Sequence, residues 1–176
     1  GADVTFTEMA RTDSLARKNK STLEKTRIAN DTPAWIQITG SQDNVLKRYL
    51  GHFQPENNFL GFNINIGCPS PHLIKNGLGC AMIKRVSKTA KIVKIIKDYG
   101  YPVSIKMRLG MNKFEKEKKI YLNLIDAVDV SFFIVHGRYG TQTYADPADY
   151  DAIAECVRTG KTIIATGDIH TKEQVE

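Results

Sequence analysis

Apolar and polar positions follow two rhythms along this chain of 176 residues. Strand-length apolar runs recur at residues 3–8, 33–40, 58–67, 102–108, 130–137 and 161–167. Between them, apolar residues return every three or four positions, which is the spacing of one helix face. This predicts helices over 41–53, 87–100, 113–128 and 148–160, and residues 170–176 read as the start of one more. Ser41 stands where an N-cap is expected, Ser87 lies near the start of its helix, and Gly100 lies near that helix's end. Ile120, Leu124 and Val128 form the buried stripe of the helix at 113–128.

Repeated strand–helix units whose strands are apolar on both faces imply a parallel sheet. An open doubly wound sheet and a closed TIM (β/α)₈ barrel both satisfy this α/β pattern, and both place chemistry at the C-terminal ends of the strands. Those ends carry Gln37, Asn65 with Cys68, Lys106 with Arg108, His136 with Arg138, and Asp168. Polar residues at every such end suit a barrel rim around one ligand. No G-x-G-x-x-G follows the first strand, which weighs against a dinucleotide-binding sheet. Six strand–helix units are visible where a barrel needs eight, so residues 1–176 read as one incomplete barrel, a fragment of a catalytic domain.

Composition narrows the class. Hydrophobic residues are 41% and charged residues 25% of the chain, which predicts a packed core and excludes disorder. No apolar run approaches a membrane span, and no basic leader followed by a long apolar run opens the sequence. Three cysteines are too few and too odd for a disulfide framework and fit a reducing, cytoplasmic setting. Cys156 lies in a helical pattern and reads as a small buried hydrophobe. The net charge of +6 is compatible with a nucleic-acid partner. The lysines at 88–97 and 113–119 serve equally as a solvated helix face or as a phosphate track.

The candidate chemistry sits in a few short stretches. Cys68 stands between Gly67 and Pro69, in a turn that would hold a thiol at the rim, where it could give or take a proton. An inert turn cysteine is the plain alternative. A metal site of Cys68, His72 and Cys80 matches no common zinc spacing, so no metal is expected. The glycines of 76–80 suit a turn and a close-packed short helix better than a phosphate loop. Lys106 lies within an apolar strand, where an ammonium needs an anion or snorkels to the strand end. His136 ends the most apolar strand, as a satisfied core histidine or a ligand contact, with Arg138 as surface residue or anion clamp. Thr166, Gly167 and Asp168 form a strand-to-helix turn in which Asp168 could cap the next helix. His52, His72 and His170 read as surface residues.

The blocks "NINIGCPSPHLIKNGLGCAM", "VSIKMRLG", "FIVHGRYGTQTYADPADYDAI" and "IIATGDI", in this order, resemble the tRNA-dihydrouridine synthase family over nearly the whole chain. The resemblance implies an FMN-bound TIM barrel that reduces the C5=C6 bond of uridine in tRNA, with NADPH reducing the flavin. It implies that Cys68 protonates C5. Gln37 would bond the isoalloxazine edge, Lys106 would lie near the flavin N1/O2 region, and His136 would contact the flavin. Thr166, Gly167 and Asp168 would fall where the family binds flavin with Asn-Gly-Asp, so Thr166 is a departure. Asn65, Arg108 and Arg138 would contact the substrate. Cys80 and Asp146 replace residues that are usually small, and Cys80 reads as packing. A first barrel strand, a last strand and a C-terminal helical tRNA-binding domain are expected to lie outside this stretch. Two other functions compete: an FMN barrel acting on a free pyrimidine, like dihydroorotate dehydrogenase, and a non-catalytic RNA-binding remnant.

Overall fold

The computed structural model describes residues 2–174 and forms a curled parallel sheet backed by helices. The first stave is interrupted. β1 (Thr5–Phe6) and β2 (Ala10–Arg11) pair with two stretches of the same neighbour, β3 (Ala34–Thr39). Between them Thr7 stands in for a ladder group: its amide donates to the Trp35 carbonyl at 3.0 Å, and its hydroxyl accepts from the Gln37 amide at 3.0 Å. β4 (Phe59–Ile66), β5 (Val103–Arg108), β6 (Phe133–His136) and β7 (Ile163–Thr166) follow in chain order, every neighbour parallel.

Helices α1 (Thr12–Ala16) and α2 (Lys20–Lys25) fill the first crossover, and α3 (Asp43–Leu50) fills the second. A short α4 (Pro71–Lys75) and a 3₁₀ turn (Gly79–Met82) precede α5 (Val86–Asp98). The helix expected over 113–128 is two, α6 (Lys113–Glu117) and α7 (Ile120–Ala127), because Lys119 adopts a left-handed conformation with φ 50°. α8 (Tyr150–Val157) begins at Asp149, whose carboxylate accepts from the Ala152 amide. Ser41 does not cap α3; the helix starts after Gln42 without a side-chain cap. Residues 171–174 are bends and turns rather than helix, and the rest of the expected terminal helix lies outside the described residues.

Two aromatic contacts demonstrate the curl. Trp35 and Phe132 lie edge to face at 5.0 Å, and Phe6 meets Phe132 at 6.5 Å. Phe132 immediately precedes β6, three and four strands away in the sheet. In a flat sheet those separations would be roughly 14 and 19 Å. The strands thus bend into barrel staves, and the aromatic trio plugs the bottom of the trough. This is the α/β architecture of an incomplete TIM barrel.

The expectation that strands are apolar on both faces fails for β4 from Phe62 onward and for all of β5, where the alternation is strict. Phe62, Ile64 and Ile66 of β4, with Val103, Ile105 and Met107 of β5, face the helices. There they join Leu46, Tyr49 and Leu50 of α3, Ile92 and Ile96 of α5, and Tyr121, Leu124 and Ile125 of α7 in one core. Their neighbours Asn63, Asn65, Ser104, Lys106 and Arg108 turn the other way, because successive side chains of a strand point to opposite faces. Cys156 is fully buried in the core, as its helical setting predicted.

The charged helix faces are tied down by carboxylates. Lys91 pairs with Asp43, Lys94 with Asp98, Lys97 with Asp129, Lys113 with Glu117 and Lys119 with Glu155. Lys116 pairs with Asp149. These lysines lie on a solvated face, each paired with a carboxylate. No helix among the described residues is long and apolar enough to cross a membrane.

Candidate active site

Strand register builds the site as three layers across the concave face. Gln37, Asn63 and Ser104 are register partners in the first layer. Asn65, Lys106, Ile134 and Ile164 form the second, and Arg108, His136 and Thr166 the third. Register partners in parallel strands share a face, so residues from five strands face one trough.

Cys68 follows β4 in a turn that its neighbours define. Asn65 Oδ1 accepts from the amides of Gly67 and Cys68, each at 3.1 Å. The Cys68 carbonyl accepts from the Cys80 amide at 3.0 Å. Gly79 approaches that carbonyl with φ 58°, and a Cβ there would lie 2.2 Å from the Cys68 oxygen, so only glycine fits. Cys80 is fully buried and its thiol donates to the Gly67 carbonyl at 3.0 Å. Burial pushes that thiol up to about 11, and this fits the packing part expected of it. Cys68 itself is half-buried and free.

Lys106 points into the trough beside this turn. It makes no hydrogen bond or ion pair among the described residues, which is unusual for a half-buried ammonium. Burial lowers its pKa, the Arg108 charge lowers it further, and the Cys68 and Cys80 thiols act in the opposite sense. Arg108 donates from Nη1 to the carbonyls of Tyr139 and Gln142, at 3.0 and 3.3 Å. Its other nitrogens have no partner among the described residues.

His136 is buried, and its Nε2 meets Arg138 Nη1 at 3.1 Å. A guanidinium can only donate, so Nε2 accepts and the proton of the neutral ring sits on Nδ1. Burial, with the charges of Arg108, Lys106 and Arg138, pushes the imidazole down to about 4. The ring packs against Gly167, where a Cβ would lie 2.7 Å from its Cδ2.

Arg138 is 1% exposed and spends its donors inside the protein. Nε donates to the Asp146 carbonyl at 2.6 Å, and Nη2 donates to both Asp168 oxygens at 2.7 Å and to the Tyr144 carbonyl at 3.3 Å. Through these bonds Arg138 fastens the loop 139–149 to the strand end. Asp168 is likewise engaged. It accepts from Arg138 and from the Ala148 amide at 2.9 Å, contacts that hold its carboxyl below the usual range, and no helix follows it among the described residues. Asp146 accepts from the Thr143 amide at 2.8 Å, so this departure serves the loop. Thr166 donates to the Val135 carbonyl at 3.4 Å.

The structure thus brings Gln37, Asn65, Cys68, Lys106, Arg108 and His136 to one trough, with Arg138 and the Thr166–Asp168 turn behind them. His52, His72 and His170 are exposed. His72 bonds Arg11 rather than joining Cys68 and Cys80, and no group of residues that could hold a metal occurs among the described residues. Sequence reasoning missed Asn63 and Ser104. Asn63 donates to Ser104 Oγ and accepts from Gln37 Nε2, both at 2.9 Å, and both residues are fully buried. The signal was present in the alternation of "NINI" and "VSIK", which puts them on the face of Asn65 and Lys106.

Comparison with known proteins agrees. The chain is 31% identical over 176 residues to a probable tRNA-dihydrouridine synthase of Helicobacter pylori, covering 96% of this chain and 52% of that protein. It is 29% identical over 188 residues to a probable tRNA-dihydrouridine synthase of Treponema pallidum, covering 98% and 54%. It is 27% identical over 183 residues to the tRNA-dihydrouridine(47) synthase [NAD(P)(+)] of Yarrowia lipolytica, covering 99% and 28%. The chain thus spans about half the length of the bacterial relatives it matches. A family model described as dihydrouridine synthase matches residues 1–176, and with this concave polar site in place the chain belongs to the dihydrouridine synthase family.

Proposed function

We propose that this chain carries the active-site trough of an FMN-dependent enzyme that reduces uridine in tRNA to dihydrouridine, with NADPH as the reductant. The observation that carries the reading is the unpaired Lys106 ammonium beside the free Cys68 thiol. Around it the trough is cationic, with Arg108 close by and Asp168 already consumed by Arg138. A group that becomes anionic on reduction fits there and would reverse the electrostatic cost of burying the lysine.

The residues present fit such a cofactor. Lys106 would meet its electron-rich edge, and His136 presents a neutral Nδ1–H with no partner among the described residues. Gln37 keeps one Nε2–H beyond the bond it gives Asn63. The Thr166–Asp168 turn would act indirectly, by seating His136 and Arg138. A reduced flavin, if held by Lys106, His136 and Gln37, would supply the hydride that C6 of the base needs. Cys68 would give its proton to C5, quenching the enolate charge at C5 and O4, and Asn65 holds the turn that aims the thiol. Arg108 keeps free donors for the uracil or its phosphate. A uridine within folded tRNA must leave its stack to enter a trough of this kind. A whole barrel takes eight strands; this reading assigns the closing strands and a helical tRNA-gripping domain to the length of the relatives that residues 1–176 do not span. The setting is the cytoplasm, where tRNA is processed.

Cys68→Ala in the intact protein tests the reading. Dihydrouridine formation is expected to fall roughly 10²- to 10⁴-fold, the usual contribution of a positioned general acid. NADPH-dependent reduction of bound FMN should persist. Unchanged dihydrouridine formation sinks the proton-donor role. Turnover of orotate in place of tRNA would transfer the site to a free pyrimidine, and a purified intact protein without flavin absorbance would leave only an RNA-binding remnant.

A further inference from the structure

The concave floor holds a chain of hydrogen bonds that runs in one direction. Its start is the pair of peptide amides at Gly67 and Cys68, which donate to Asn65 Oδ1. A peptide N–H can only donate, so that atom is fixed as the carbonyl oxygen and the far atom of the same amide is Nδ2. Nδ2 donates to Gln37 Oε1 at 2.9 Å. The far atom of Gln37 is then Nε2, which donates to Asn63 Oδ1 at 2.9 Å. Asn63 Nδ2 in turn donates to Ser104 Oγ at 2.9 Å. Four side chains on three adjacent strands share one permitted orientation, imposed by the Cys68 turn at one end and terminated by a hydroxyl at the other. Asn63 and Ser104 are 0% exposed, so neither can exchange its partner for water.

We infer that Asn63 and Ser104 are positioning residues for the Cys68 thiol. Through Gln37 they hold the Asn65 amide, and through Asn65 they hold the turn that keeps Cys68 at the mouth beside Lys106. The same chain presents one fixed edge of the Gln37 amide to the trough. Ser104 is the critical terminus. Without its oxygen, Asn63 Nδ2 is stranded in a dry site. If Asn63 turned over, its NH₂ would meet the NH₂ of Gln37, and the conflict would pass along to Asn65. The catalytic consequence rests on the proposed uridine reduction, whereas the coupling of Ser104 to the Cys68 turn does not.

Ser104→Ala and Ser104→Thr in the intact protein test this. Hydrogen exchange of the Gly67 and Cys68 amides is expected to accelerate about tenfold in Ser104→Ala, with β6 amides unchanged, as a local opening requires. Ser104→Thr, which keeps the hydroxyl, restores the wild-type rate. In the same variants kcat for tRNA uridine reduction falls about tenfold with Ala, KM for tRNA holds within about twofold, and Thr recovers the loss, the pattern of a misaimed group. Wild-type exchange at 67 and 68 in a folded Ser104→Ala protein overturns the inference, as does failure of Thr to rescue. If Ser104→Ala does not fold, Gln37→Met cuts the same chain at a half-buried position and must give the same acceleration. Absence of uridine reduction in the wild type defeats the functional reading alone, because the exchange measurement still decides the chain.

Discussion

The two faces of one strand differ more than any two regions far apart in this molecule. Val103, Ile105 and Met107 of β5 are at most 2% exposed and sit in the core against the helices. Ser104, Lys106 and Arg108, one position away in each case, line the trough. On the convex face a side chain is held by how much apolar surface it buries, and any well-shaped hydrophobe serves. On the concave face each polar atom has a named partner or is conspicuously without one. Stability and chemistry are thus written into alternate residues, so a register slip of one position would exchange them.

Phe62→Ala breaks the comparison on the convex side and has the largest expected effect. Phe62 is fully buried and packs edge-on or tilted against Tyr49, Phe53, Phe59 and Tyr101, with ring centroids 5.0 to 6.0 Å apart. Emptying that cluster should cost about 3–5 kcal/mol in urea unfolding, a large part of the roughly 5–15 kcal/mol that holds a domain folded. FMN affinity, measured below the new melting temperature, should be unaltered. A parallel loss of both would mean that the two faces are not separable.

Lys106→Met makes the opposite incision. It removes a half-buried ammonium with no partner and leaves an unbranched chain of similar volume, so the melting temperature should equal or exceed that of the wild type. FMN binding by titration calorimetry should weaken about 10- to 100-fold, the worth of a charge-assisted bond. A destabilised variant with intact FMN affinity would make Lys106 a structural residue and remove the anion from the site.

How far this arrangement could be read in advance follows the same division. Six staves were legible because strand-length apolar runs alternate with helical stripes. The interruption of the first was not, since Thr7 repairs the ladder with a side chain that any strand could contain. α2 escaped notice because none of its residues is buried, so no stripe exists to be seen. The break at Lys119 has no glycine or proline to announce it. At the site, Cys68, Lys106 and His136 stood out as polar residues ending apolar strands. Arg138 could be read only as a surface residue or an anion clamp, because its partners come from a loop and from Asp168, 30 residues on. Asn63 and Ser104 lie in strand interiors, where a polar residue carries no mark of what it will bond; their meaning appears only when three strands are laid in register.

A change of pH separates the faces without removing a side chain from either. The folded protein keeps His136 neutral down to about 4, because its ring is buried and Arg108, Lys106 and Arg138 oppose a further positive charge. The unfolded chain protonates a histidine near 6.5. Between those values the unfolded state binds more protons, so lowering the pH from about 6.5 to 4 shifts the balance toward unfolding. At about 1.4 kcal/mol for each unit of separation, the contribution is on the order of 3–4 kcal/mol. It is fully present above pH 6.5 and lost as the pH falls through the window. Carboxylates titrate in the lower part of the same range, so the comparison is between wild type and His136→Asn, each unfolded by urea at pH 7, 6, 5 and 4. The wild type should lose more stability than the variant, with the gap opening mainly between pH 6.5 and 4. Parallel curves would mean that the imidazole is charged in the folded state. Nε2 would then carry a proton facing the Arg138 guanidinium, and the trough would lose the neutral donor it presents at Nδ1.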